Sequence, residues 1–338
     1  MKIKRIGIDL AKHVFQVHGV DQDERAVLKK RLRRSEMKGF FTKLEPTLIG
    51  VEACGSAHYW ARELSALGHV VKLMPPQYVK PYVKTNKNDA NDAEAICEAV
   101  SRPQMRFVPI KSVEQQALQG LHCVRDRVVK ARTALVNEIR GLLGECGIIV
   151  CKGVSAIRNG LPLMIEDAEN GLCVAMRSLM KSLHAELVSV DARLDELDKQ
   201  VKTHANTHPD ARRIQQLDGV GPITASAIVS SIGDARQFKS GRELAAWLGI
   251  VPRQHSSGGK DRLVGISKRG DSRLRTLLIH GARSVLLASK TKTDRRSEWL
   301  RKLTERRNPN IATVALANKQ ARVIWAMITR QEGYRPAM

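Results

Sequence analysis

No apolar run in these 338 residues approaches the roughly 20-residue length of a bilayer-spanning helix, so no membrane partner is expected. The six cysteines, at positions 54, 97, 123, 146, 151 and 173, form no C-x-x-C pair and have no histidine at zinc spacing. That excludes a sequence-encoded zinc site and reads as reduced packing thiols of a cytosolic protein. The first residues are basic but run straight into a strand pattern holding Asp9, unlike a secretion signal, and a cytoplasmic protein is expected. Acids are the scarcest class relative to need. There are 34 Asp and Glu against 57 Lys and Arg, a formal net charge of +23. Such an excess calls for a polyanion, with nucleic acid as the first candidate. The imbalance is local. Residues 1–105 hold 18 basic against 12 acidic side chains, residues 106–205 hold 14 against 12, and residues 206–338 hold 25 against 10. Most polyanion affinity is therefore expected in the last third.

The length suits two or three domains with a substantial core. Residues 3–9, 14–20 and 26–32 read as short strands separated by polar turns. A helix over 35–44, a strand ending at Glu52, a helix over 55–67 and a strand over 69–74 follow. Prolines 75, 76 and 81 then break the chain before a helix that opens at Asp89. Three strands, helix, strand, helix, strand, helix is the order of a ribonuclease H-like α/β domain, taken here as residues 1–110.

Within that order lie four acids. Asp9 closes the run Ile3–Ile8, Glu52 closes Leu48–Val51, and Asp89 and Asp92 open the helix that continues to Val100. A single acid at a strand end is ordinarily a turn or cap residue, and Asp89 alone could cap its helix. Four together, in the order strand end, strand end, helix-start pair, are not explained that way. Residues three apart share a helix face, so Asp89 and Asp92 can grip one ion. Hard oxygen ligands suit Mg²⁺ or Mn²⁺, and paired ions of this kind serve phosphodiester displacement.

Residues 112–145 and 172–204 are nearly free of helix breakers and carry apolar residues at three- and four-residue steps, among them Leu118, Leu121, Val128, Leu135, Leu187, Leu194 and Val201. They predict two long helices forming a coiled-coil-like insert over 111–205, with its stripe covered within the chain or, slightly favoured, by a second subunit. The mostly α-helical remainder, 206–338, opens with Leu217-Asp-Gly219-Val-Gly221-Pro222 between helical stretches. This is a helix-hairpin-helix-like pattern whose Gly219 and Gly221 could offer backbone N–H groups to a phosphate; a tight interhelical turn reads equally well. After Pro252 comes a loop with Arg253, His255, Ser256, Ser257, Gly258, Gly259, Lys260 and Arg262. Lys268 and Arg269 follow, then a helix with Arg273 and Arg275. A hydroxyl among fixed cations can attack a phosphodiester, although such loops are often plain phosphate binders.

Four segments together resemble a known family. They are Gly7-Ile-Asp9-Leu-Ala-Lys12, Val51-Glu52-Ala-Cys-Gly55, Lys87-Asn-Asp89-Ala-Asn-Asp92-Ala93, and His255-Ser-Ser257-Gly258 with Gly265-Ile-Ser-Lys268-Arg-Gly270. They are similar to the motifs of the DEDD transposases of bacterial insertion-sequence family 110 and its 1111 subgroup. The resemblance implies a RuvC-like N-terminal domain, with Asp9, Glu52, Asp89 and Asp92 as the metal ligands. It implies a C-terminal transposase domain with a serine nucleophile, which falls on Ser257, with Ser256 adjacent. It further implies site-specific recombination of DNA guided by a structured bridge RNA, in a bacterial, nucleoid-associated protein. The acids and the serine lie in different segments, which suits a homo-oligomer, dimer or tetramer, that shares its sites. The rival readings are a structure-selective endonuclease of the Holliday-junction type, using metal-activated water, and a non-catalytic nucleic-acid binder.

Overall fold

A computed structural model describes residues 2–84, 88–260 and 262–335. Lys87 of the third motif and Asp261 of the serine loop lie outside the described residues. The chain divides into two compact units, Met1–Ser112 and Val113–Met338. Among the described residues no helix is long and apolar enough to cross a membrane.

The first unit follows the predicted order closely. Its elements are β1 (Arg5–Leu10), β2 (Val14–Val20), β3 (Ala26–Arg33), α1 (Met37–Thr42), β4 (Leu48–Glu52), α2 (Ala57–Ala66), β5 (Val70–Met74), α3 (Pro76–Val79) and α4 (Asp89–Ala99). One five-stranded sheet results, in the order β3-β2-β1-β4-β5. β1, β2 and β3 pair antiparallel, whereas β4 runs parallel to both β1 and β5. Strand periodicity then assigns the faces. Ile6 and Ile8 of β1, with Ile49 and Val51 of β4, enter one core with Phe15, Phe41, Trp60 and Leu64 beneath α1 and α2. The alternate residues, Arg5, Gly7 and Asp9, face α4: Arg5 Nε donates to the Cys97 carbonyl of that helix at 2.8 Å.

Two glycines set how near α4 can come. Gly7 and Gly50 are direct partners across β1 and β4. A Cβ on Gly7 would lie 2.3 Å from the Ala93 carbonyl oxygen, and one on Gly50 would lie 2.8 Å from Val100 Cβ. The sheet is therefore bare of side chains where α4 lies across it, and the helix backbone rests against the strands.

In the second unit, α5 (Val113–Glu145) and α7 (Val174–Thr207) realise the two predicted long helices, and α6 (Val154–Glu166) between them was not anticipated. α8 (Pro209–Ile214), α9 (Pro222–Ile232) and α10 (Gly241–Trp247) follow, then the short strands β6 (Pro252–Gln254) and β7 (Leu263–Ile266). The chain ends in α11 (Ser272–Ala288), α12 (Arg295–Arg306) and α13 (Pro309–Arg330). The apolar stripe is covered inside the chain. Leu135, Val136, Ile139 and Leu143 of α5 pack with Met180 and Leu187 of α7, and Val128 packs with Leu194 and Leu197. For those residues the partner lies within the chain, and the slightly favoured reading of a second subunit is corrected. The segment expected as a separate insert over 111–205 falls in the same compact unit as the C-terminal helices. Buried His122 of α5 and His204 of α7 both hydrogen-bond Ser226 Oγ of α9, at 2.9 and 3.0 Å, tying long helices and C-terminal core together.

Candidate functional site: an acidic cluster and a serine hairpin

Asp9, Asp89 and Asp92 each offer a carboxylate oxygen, all within 4.8 Å of one another. Three features bring them together. Asp9, next to the last residue of β1, lies on the α4 face, the glycine pair admits α4, and the first turn of α4 carries both other acids. The helix cap is made by Asn88, whose side-chain oxygen accepts from the Ala90 N–H at 3.0 Å. Capping by Asn88 leaves Asp89 without the cap role weighed for it above. Three acidic oxygens at this spacing form the hard, oxygen-only donor set that suits a divalent cation of the Mg²⁺ class.

Glu52 stands outside that tight trio. It ends β4, one step beyond the Ile8–Val51 pair, and so lies beside Asp9 at the C-terminal ends of the two parallel strands. Cys54 reports the proximity. Desolvation around its sulfur, then the charges of Glu52 and Asp9, push this thiol above its ordinary range, although the residue is exposed overall. The sequence signal for the place of Cys54 beside the acids is its position two residues after Glu52.

The second candidate site is a hairpin. β6 and β7 pair antiparallel, and Ser257 and Lys260 bridge near its tip. Gly258 and Gly259, with φ of +56° and +77°, form the turn between them, a two-residue connection that needs left-handed backbone at both positions. The two serines differ in what holds them. Ser256 Oγ accepts from Gln254 Nε2 at 2.9 Å and from the Arg262 N–H at 3.3 Å. Ser257 is exposed, and its hydroxyl makes no hydrogen bond among the described residues. Arg253, Lys260, Arg262, Lys268 and Arg269 are exposed and have no carboxylate partner among the described residues.

Other expected contacts are engaged elsewhere. Arg273, only 21 % exposed, pairs with Asp126 of α5 at 2.6 Å. Arg275 donates to the Leu248 carbonyl at 3.2 Å. Arg273 is thus paired with a carboxylate, whereas Arg275 is half-buried with one N–H held by a backbone carbonyl and no ion pair among the described residues. Gly219, with φ +84°, owes its identity to packing: a Cβ there would meet the Gly281 carbonyl of α11 at 2.7 Å. Gly221 is exposed at the start of α9 with open space around its Cα, so of the two it keeps the geometry for a phosphate.

Comparison with known proteins matches both halves. A family model described as "Transposase", for DEDD transposases of the IS110 type, matches residues 6–148. A second, "Transposase IS116/IS110/IS902 family", matches residues 211–298. A "Probable family 20 transposase" of Pseudomonas aeruginosa is 55 % identical over 337 residues, 99 % of this chain and 100 % of that protein. The "Transposase for insertion sequence element IS1111A" of Coxiella burnetii is 48 % identical over 98 % of this chain and 92 % of its own. The corresponding transposase of IS1328 from Yersinia enterocolitica is 39 % identical, with 96 % of each covered. With end-to-end similarity at this level, the chain belongs to the IS110-type family of insertion-sequence transposases, enzymes of DNA strand cleavage and transfer.

Proposed function

We propose that this transposase recombines DNA through a covalent serine–DNA intermediate, with Ser257 as nucleophile and Asp9, Glu52, Asp89 and Asp92 as the metal-binding set. The observation that carries the nucleophile is the contrast between the two serines. The Ser256 oxygen is tied into the hairpin, whereas the Ser257 hydroxyl makes no hydrogen bond among the described residues, beside a turn formed by two left-handed glycines. In the proposed step Ser257 Oγ forms a bond to a DNA phosphorus as the bond from phosphorus to one sugar oxygen breaks. The serine proton is lost, and the departing sugar oxygen leaves as a hydroxyl. Arg253, Lys260 and Arg262 offset the negative charge that builds on the phosphoryl oxygens. Rejoining is the reverse, with a sugar hydroxyl displacing serine, so the phosphodiester energy is conserved. A divalent cation held by the acids, Mg²⁺ or Mn²⁺, would supply Lewis-acid polarisation of the phosphate. The proposal includes a structured guide RNA that pairs with donor and target DNA, held by the exposed cations of the second unit, and a homo-oligomer, dimer or tetramer, as the active species.

The test is a metal-dependent reaction on element-end DNA, quenched in denaturant, with the DNA-linked peptide mapped. An adduct on Ser257, lost in Ser257→Ala and kept in Ser256→Ala, supports the proposal. An adduct on Ser256 moves the role by one residue. Cleavage with no adduct in any variant leaves a nuclease that activates water.

A further inference from the structure

A second binding feature lies on the opposite face of the sheet from α4. β3 is an edge strand, and the run Lys29-Lys-Arg-Leu-Arg-Arg34 at its end places five cations in six residues. Cations on an edge strand ordinarily guard against unwanted strand pairing. That role needs no aromatic neighbours, yet here a cleft of about 700 Å³ opens between the end of β3 and α2, lined by His13, Arg33, Arg34, Lys38, Tyr59 and Trp60. The Arg34 guanidinium lies 5.3 Å from the Trp60 ring centre and 5.9 Å from that of Tyr59. Tyr59 is 42 % exposed, with Arg34 over its ring and Trp60 packed against it edge-on at 5.2 Å, so a base would stack on the ring surface that these two leave exposed. Trp60 is 4 % exposed, and its indole N–H finds no acceptor among the described residues. Glu63 contributes the cleft's carboxylate, and Lys38 already neutralises it at 3.0 Å. The guanidinium groups of Arg33 and Arg34 form no ion pair among the described residues, although the Arg33 backbone N–H donates to Glu36 Oε2 at 2.7 Å.

Exposed aromatic surface interleaved with unpaired arginines is the chemistry that holds a stacked base and its phosphate. A duplex offers no free base face to Tyr59, so the fitting ligand is single-stranded. The cleft also has a position relative to the acids. His13 lines it from the turn between β1 and β2, and Asp9 lies four residues earlier on the other side of that turn. The geometry points to a binding site for an unpaired nucleotide of the DNA strand, with its base on Tyr59 and its phosphate on Arg33 and Arg34. This rests on the proposed DNA-processing function and assigns a place in the first unit to a strand that has been opened.

The experiment uses the full chain with a fluorescent oligothymidylate, a duplex and an oligouridylate of the same length. Tyr59→Ala is expected to weaken oligothymidylate binding roughly tenfold, the loss of one stacked base, and to leave duplex binding unchanged. Tyr59→Phe should bind like the parent, and Arg34→Gln should weaken the single strand selectively. Oligothymidylate carrying 5-iodouracil should photocrosslink to Tyr59. Parent-like binding by Tyr59→Ala, equal losses for single strand and duplex, or crosslinks only outside the cleft would overturn the site. Stronger Tyr59-dependent binding of oligouridylate would overturn the assignment to DNA. If Tyr59→Ala melts below the parent, Arg34→Gln decides the matter, since it keeps both rings: a selective loss of single-strand binding supports the site and parent-like binding overturns it. Mapping the serine adduct in the parent separates the two ideas. An adduct together with an indifferent Tyr59→Ala sinks the cleft alone, whereas no adduct sinks the serine mechanism whatever the cleft does.

Discussion

Replacing Gly7 with alanine should dismantle the acidic cluster without touching an acid. The new methyl would lie 2.3 Å from both the Ala93 carbonyl oxygen and the Cys97 nitrogen, and 2.7 Å from Cys97 Cα. All three are backbone atoms of α4, so no rotamer change relieves the clash. Restoring ordinary contact distances requires the helix to retreat by about 1 Å. Overpacking of this kind costs about 1–3 kcal/mol, a sizeable share of the roughly 5–15 kcal/mol that keeps a protein folded. The functional effect should exceed the stability effect. Asp89 and Asp92 ride on the first turn of α4, and Mg²⁺ demands oxygens at about 2.0–2.1 Å in near-octahedral array. A shift of about 1 Å in catalytic positioning can cost on the order of a hundredfold in rate. Mn²⁺ titration, thermal melting and metal-dependent cleavage are to be measured side by side on Gly7→Ala. Gly39→Ala is the control, because a Cβ there meets nothing within 4 Å. Parent-like melting and metal affinity in Gly7→Ala would refute the argument that glycine-permitted helix approach builds the site.

Three further outcomes follow from the same geometry. Asp9→Asn, Asp89→Asn and Asp92→Asn should each abolish metal-dependent strand cleavage while raising or preserving metal-free melting temperature, because each removes one of three crowded negative charges; near-normal recombination by any two would rule out a shared ion. His122 is fully buried, and burial, then the charges of Arg273, Arg125 and His204, hold its pKa down to about 3. Its folded pKa is below the unfolded value of about 6.5, so the unfolded chain binds the extra proton and stability should fall as pH drops from about 6.5 towards 3, by up to ~1.4 kcal/mol per unit. Melting curves across that range should show a shallower slope in His122→Gln; an identical slope would remove His122 as the cause. Finally, nucleic-acid affinity should fall steeply with salt, and neutralising Lys260 and Arg262 together should lower the slope of log affinity against log salt by about 2. A slope unchanged by that pair would place the phosphate contacts elsewhere.

What the sequence determined by itself is the part of this protein written in short-range patterns. Short apolar runs bounded by polar turns located β1, β2, β4 and β5, because a buried strand needs such residues whatever covers it. The unbroken apolar stripes located α5 and α7 to within a few residues. Asp9 and Glu52 were visible because an acid at the end of a buried strand stands out against its neighbours, and Asp89 and Asp92 because they open one helix three residues apart. Other features depended on which element lies against which, and only the tertiary structure decided them. The Asn88 cap, the Gly7–Gly50 seat for α4 and the exclusion of Glu52 from the tight trio require knowing that β1 and β4 are adjacent and that α4 crosses them. Arg273 and Arg275 looked like the other cations of a basic segment until folding set one against Asp126 and the other against a carbonyl at the end of α10. Gly219 read as a phosphate-turn glycine until α11 arrived against it. Charge is readable residue by residue, but whether a cation meets a carboxylate or solvent depends on partners as much as 147 positions away, as with Asp126 and Arg273. Strand pairing and helix packing alone bring such partners together.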